Sequence, residues 1–195
     1  MESAKLRWPT VADEQLRAGV HRVLFAVADR GGAIGYAAPP SRTETDAWLD
    51  QVLTQVGEGD AALALATLDD EVVGTGLWRR GPKPIFAHSA DVQKVATHPA
   101  ARGRGVGRLV TAALIDDARK AGIETLALGV RGNNHGAIEL YERLGFREWG
   151  RLPNVIEIGA ERFDDVRMFL DLGRDPGVVL RGSAPGGPGS SPRRG

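Results

Sequence analysis

Apolar positions recur at helical spacing through the first sixty residues and alternate thereafter. Leu16, Val20, Val23, Leu24 and Val27 share one helical face. This helix is expected to start at Thr10, with Asp13 three positions on as a weak capping box, and to end at Gly31-Gly32. Residues 33–41, rich in Gly, Ala and Pro, read as a loop. Trp48, Val52 and Val56 mark a second helix from about Thr43 to Val56, stopped by Gly57 and Gly59. From there the period is that of strands. Residues 61–68 and 72–79 flank Asp69-Asp70, a hairpin by turn chemistry. Residues 81–88, with two prolines, form a loop, and 91–97 a third strand.

A long helix follows over residues 106–121, with Val106, Leu109, Val110, Ala113 and Leu114 as its apolar stripe. Residues 125–130 form a strand, 134–144 a short helix and 146–151 a strand. A loop at Pro153 leads to a last strand over 162–170, while residues 1–9 are an extended lead-in. The order helix, helix, hairpin, strand, helix, strand, helix, strand, strand predicts one mixed α/β layer structure spanning 1–172. From Gly173 onward Gly, Pro, Ser and Arg dominate. Such a tail buries too little apolar surface to offset its ordering entropy and is expected to be disordered.

Composition narrows the function classes. The 195 residues suit one domain, and 42% apolar with 26% charged residues is an ordinary globular balance. The formal net charge is zero, so global charge gives no support for nucleic acid or an anionic membrane as a partner. The chain has no cysteine, which removes disulfides, thiolate zinc sites and a cysteine nucleophile. His21, His88, His98 and His135 show no metal-ligand spacing, and no metal is expected. The N-terminal residues lack a signal peptide's apolar core, and no run reaches the ~20 apolar residues of a span, which makes a cytoplasmic location the default expectation.

The candidate chemistry lies in a strand, a glycine-rich loop and a helix, from Asp91 to Lys120. Arg102, Gly105 and Gly107 form Arg-x-x-Gly-x-Gly. Glycines let the backbone turn tightly and approach a ligand, and the next helix offers unpaired N–H groups and a positive dipole end. Arg102, Arg104 and Arg108 add charge, so the unit suits a pyrophosphate. It is not a P-loop, because Gly107 precedes Arg108 and Leu109. Nor is it a dinucleotide fingerprint, because Gly103 and Gly105 are followed by Arg108 where glycine is needed. Spacing alone leaves open a basic turn that binds nothing.

The run Val-Ala-Thr-His-Pro-Ala-Ala-Arg-Gly-Arg-Gly-Val-Gly-Arg-Leu-Val, from Val95 to Val110, resembles the acyl-CoA signature of the Gcn5-related N-acetyltransferase superfamily. A second run, Asn134-x-x-Ala137-Ile138-x-Leu140-Tyr141-Glu142-x-Leu144-Gly145-Phe146, resembles that superfamily's other signature. Within it, residues 90–94, 19–35 and 150–153 are similar to tabtoxin resistance acetyltransferases. The resemblance covers residues 10–172 and implies a mostly antiparallel twisted sheet flanked by helices.

It also implies acetyl-CoA as co-substrate and direct acetyl transfer to an amine. Val95, Ala96 and Thr97 would present backbone groups to the pantetheine arm and thioester carbonyl. Gly103 to Arg108, Val106 included, would hold the pyrophosphate. Asn134 matches a cofactor-contacting position, though as a residue type it is equally a helix N-cap. Tyr141 matches the general acid that protonates the departing thiolate; by periodicity alone it is a packed aromatic. Asp91 falls where the tabtoxin-like relatives carry a glutamate base. It is one methylene shorter, and a water would bridge the gap. A second acidic position of those relatives is replaced by Gly129. His98 reads as part of a His-Pro turn, Glu124 and Glu139 as surface charges, and Trp48, Trp78 and Trp149 as core aromatics before pocket walls.

The acceptor this resemblance implies is a small-molecule amine, an amino-acid-like antibiotic or metabolite, as in antibiotic resistance. A protein lysine or N-terminus and a non-catalytic CoA-binding module are the alternatives. The Arg193-Arg194 tail neutralises too few phosphates to bind nucleic acid firmly. The expected assembly is a monomer or homodimer.

Overall fold

The computed structural model describes residues 3–173. The expected disordered tail, apart from Gly173, lies outside them. Seven strands form one sheet: β1 (Lys5–Arg7), β2 (Ala61–Leu68), β3 (Glu71–Arg80), β4 (Ser89–Thr97), β5 (Thr125–Arg131), β6 (Arg147–Ile158) and β7 (Glu161–Asp171). Among the described residues the α-helices are α1 (Glu14–Asp29), α2 (Arg42–Glu58), α3 (Val106–Lys120) and α4 (His135–Arg143). The strand order is β1-β2-β3-β4-β5-β7-β6. All neighbours pair antiparallel except β4 and β5, which run parallel.

Helices cover both faces of the sheet, and this explains the nearly unbroken apolar run of β2. Leu63 and Leu65 face α1 and α2, packing with Val20, Leu24, Leu49 and Val52. Ala64 and Ala66 face the other way, into a core with Val106, Val110 and Leu114 of α3, Leu126, Phe146 and Met168. Trp78 closes the far end of that core, and its Nε1 donates to Asp117 Oδ2 at 2.8 Å.

The helix boundaries differ from expectation for identifiable reasons. Asp13 is itself the N-cap of α1, its Oδ1 accepting from Leu16 N at 2.8 Å, so the helix starts at Glu14 and not at Thr10. A full capping box of Ser41 and Glu44 starts α2 at Arg42. The extended lead-in contains an edge strand, β1, paired with β2.

The loop expected at Pro153 is a correction. β6 continues through it as an edge strand, with its register against β7 broken between Leu152 and Ile156. Proline is tolerated there because a bulged edge residue owes no ladder hydrogen bond.

Candidate functional site

The cleft arises from two local departures in β4. Toward β5, pairing covers only Ser89 to Asp91 against Thr125 to Ala127; beyond that the two parallel strands separate. Toward β3, the register shifts between Thr75–Leu77 and their partners Ala96 and Gln93, which places one extra residue in β4. Lys94 sits in this bulge with φ +50°, and Thr75 Oγ1 donates to its carbonyl at 2.9 Å. On its β5 side, the backbone of residues 92–97 therefore borders an opening instead of a sheet neighbour.

An open cleft of about 990 Å³ fills this gap, lined by β4, β5, the loop before α3, α4 and the loop after α1. α3 packs unusually close to the sheet beside it. A Cβ on Gly74 would lie 2.4 Å from Val106 Cγ1, and one on Gly76 would lie 2.7 Å from Val110 Cγ1. These two glycines let the N-terminus of α3 sit against β3 and β4. Its N-cap, Gly105, has φ +76° and brings no side chain to the first N–H groups. Gly103 has φ +75°, and nothing stands within 4 Å of where a Cβ would be at either position. Such a turn can hold an anion through backbone N–H groups, with Arg102 and Arg108 alongside.

Most of the residues singled out from sequence meet here. Asp91, Val95, Ala96, Thr97, Arg102, Gly103, Gly105, Val106, Gly107, Arg108, Asn134 and Tyr141 all line the cleft. Arg104 does not; it is exposed beside it. Asn134 is the N-cap of α4, its carbonyl accepting from Ile138 N at 3.1 Å, while its side chain makes no cap hydrogen bond and faces the cleft free of that task.

Tyr141 is buried, its ring edge-on to Phe146 at 5.7 Å between centroids. Burial pushes its phenol up to about 12, so the hydroxyl keeps its proton and remains a donor. Asp91 is the one carboxylate among the lining residues. The surrounding protein raises its carboxyl above the ordinary range, and Arg167 opposes that rise. Gly129 is opposite Arg167 in register, and a Cβ there would meet Asp165 Oδ1 at 3.1 Å and Arg167 Cζ at 3.5 Å. Gly129 is thus covered by a cation–carboxylate pair from β7, with Arg167 Nε donating to Asp165 Oδ2 at 2.7 Å.

His98 serves the turn, its Nδ1 accepting from Ala100 N at 3.3 Å. Trp48, Trp78 and Trp149 do not line the cleft.

Residues not singled out also face it: Arg30, Lys94, Arg131, Arg143 and Arg167, against the single Asp91. A lysine set between Val92 and Val95-Ala96 of a strand was the available signal for Lys94. Arg131 and Arg167 carry no local signal, because only strand pairing brings them to the gap.

A sheet opened between two parallel strands, with a glycine turn and helix N-terminus beside the gap, is a cleft built to take an anion-bearing ligand. The chain belongs to the acetyltransferase (GNAT) family, whose model matches residues 35–146. It is 28% identical over 179 residues to L-methionine sulfoximine/L-methionine sulfone acetyltransferase of Pseudomonas aeruginosa, covering 89% of this chain and 96% of that protein. It is 33% identical over 121 residues to mycothiol acetyltransferase of Renibacterium salmoninarum, covering 60% of this chain but 36% of that protein. The chain spans half or less of the length of some curated relatives it matches. A phosphinothricin acetyltransferase from Sinorhizobium meliloti, solved with AcCoA, shares the fold at TM-score 0.75 and 18% identity, covering 92% of this chain and 97% of that one. No helix among the described residues is long and apolar enough to cross a membrane.

Proposed function

We propose that this chain transfers an acetyl group from acetyl-CoA to the primary amine of a small molecule, by direct attack of the amine. The observation that carries the reading is the gap between β4 and β5, with the uncapped N-terminus of α3 at its border and Tyr141 and Asp91 facing it. The residues present fit the co-substrate. The open glycine turn with Arg102 and Arg108 beside it suits a pyrophosphate, and the β4 edge left unpaired toward β5 suits an extended amide-bearing arm. Acetyl-CoA supplies an activated acetyl thioester.

The chain's own groups divide the remaining work. The N–H groups of Gly103 and of Gly105 to Arg108 hold the pyrophosphate, with Arg102 and Arg108 adding charge and Asn134 contacting the same ligand. The backbone of Val95, Ala96 and Thr97 orients the arm and offers an N–H to the carbonyl oxygen, where negative charge develops. Tyr141 donates its phenolic proton to the departing sulfur, and the proton that the attacking nitrogen sheds as the amide forms returns to the phenolate through solvent. An alkyl amine with pKa near ~10 arrives protonated, and Asp91 accepts that proton through a water.

The P. aeruginosa relative, matched over nearly its whole length, is named for amino-acid-derived acceptors, and this supports a small amine here. The test is thiol release from acetyl-CoA across amino acids and their analogues, aminoglycosides, polyamines and lysine peptides. Turnover confined to one small-amine class is expected. Turnover with peptides alone would refute the small-molecule reading, and failure to bind acetyl-CoA would refute the whole.

A further inference from the structure

The loop joining α1 to α2 crosses the cleft on the face opposite α3. Gly32, Ala33, Ile34 and Gly35 line the cleft, and Ile34 is buried among the α1 and α2 core residues. α3 and α4 lie on the other face with the anion-holding turn. Resting on the acetyl-transfer reading, this places the thioester donor on the α3 side and the amine on the side of the α1–α2 loop.

Each of the two separating strands sends one cation to that loop. From β4, Lys94 Nζ donates to Ile34 O at 2.7 Å and stands 3.5 Å from the centre of the Tyr36 ring. From the end of β5, Arg131 Nη2 donates to Gly31 O at 2.7 Å. Arg131 is itself fixed by Asn133 Oδ1 at 2.7 Å from its Nε and by the Phe163 ring, 4.8 Å below its Cζ. The Lys94 contact exists because of the bulge. A β4 without the extra residue would turn this side chain differently, and bulges beside functional sites commonly re-aim a side chain in this way. The loop is thus tied at two carbonyls, three residues apart, by strands that have no hydrogen bonds to each other at that depth.

We propose that Lys94 and Arg131 are positioning residues for acetyl transfer, holding residues 31–36 as a strap that shapes the amine side of the cleft. Neither acts on the thioester. Cutting either tie lets the strap move away from β4 and β5, which loosens amine binding and leaves the cradle on the α3 side intact. Charge-assisted hydrogen bonds of this kind, when removed, cost about tenfold or more in what they position.

The experiment compares Lys94→Met, Lys94→Arg and Arg131→Met with the wild type. It measures amide hydrogen exchange over residues 31–36, the acetyl-CoA Kd, and the amine KM. Lys94→Met is expected to speed exchange over 31–36 alone and raise the amine KM about tenfold or more, with the acetyl-CoA Kd within about twofold. Lys94→Arg retains a donor and a cation for Tyr36, so it should recover much of the loss. Arg131→Met should reproduce the Lys94→Met pattern independently. Unchanged exchange over 31–36 in both Met variants would overturn the proposal, as would acceleration spread through α1 and the sheet, or a rise in acetyl-CoA Kd matching that in amine KM. If the wild type turns over no amine, the transfer reading fails, while exchange still decides whether the strap exists.

Discussion

Adding one methyl group at Gly74 tests how the α3 cradle is positioned. A Cβ there would stand 2.4 Å from Val106 Cγ1, with Ala66 Cβ and Ala96 O both at 3.4 Å on other sides. Carbon atoms pack at about 3.5–4.0 Å, so Val106 must retreat by about 1 Å or more. Rotation offers little relief, because a valine in a helix keeps one strongly preferred χ1 rotamer. Val106 is the first residue of α3, so its retreat carries the turn of Gly103 to Arg108 outward.

Overpacking of this size costs about 1–3 kcal/mol. Gly74→Ala should therefore unfold at lower urea and bind acetyl-CoA more weakly, by calorimetric titration. The paired variant Gly74→Ala/Val106→Ala removes the offending Cγ1 and fills its space with the new methyl. It should be no less stable than Val106→Ala alone and bind acetyl-CoA better than Gly74→Ala. Wild-type stability and affinity in Gly74→Ala, or simple additivity in the pair, would refute the claim that this contact sets the cradle.

Two further outcomes follow from single groups. Tyr141→Phe keeps the edge contact to Phe146 and loses only the hydroxyl, so kcat should fall by about 10²-fold with acetyl-CoA affinity and unfolding midpoint near wild type; because the phenol lies at about 12, the wild-type rate should show no loss of this acid up to about pH 10. Burial lowers Lys94 from 10.5 to about 8, so between those values the unfolded chain binds more protons and stability gains from rising pH. Lys94→Met should flatten that slope in urea unfolding at pH 7.5–10.5, and an unchanged slope would remove Lys94 as its source.

Local chemistry was readable along the chain where one residue decides the outcome. Asp69 and Asp70 form the expected hairpin turn with φ +49° and +61°. Gly105 ends the turn before α3, and Gly59 caps α2 in the left-handed region. Both signatures came together at one cleft, because each is a short contiguous unit whose strand, loop and helix carry their own signals. Long-range features were not readable. The start of α1 was displaced because Asp13 is the cap and not a partner of Thr10. Pro153 reads locally as a breaker, yet an edge strand with a bulge absorbs it. Arg167 over Gly129, and the ties from Lys94 and Arg131 to the α1–α2 loop, depend on strand register and on residues up to 100 positions apart.

Backbone amide shifts of the ¹⁵N-labelled protein, followed by NMR during titration with acetyl-CoA, test the central claim most directly. The account predicts the largest shifts at Gly103, Gly105, Gly107 and Arg108 and at Val95 to Thr97, with the outer strand β6 unmoved. Shifts absent from those residues, or concentrated away from the gap between β4 and β5, would contradict it.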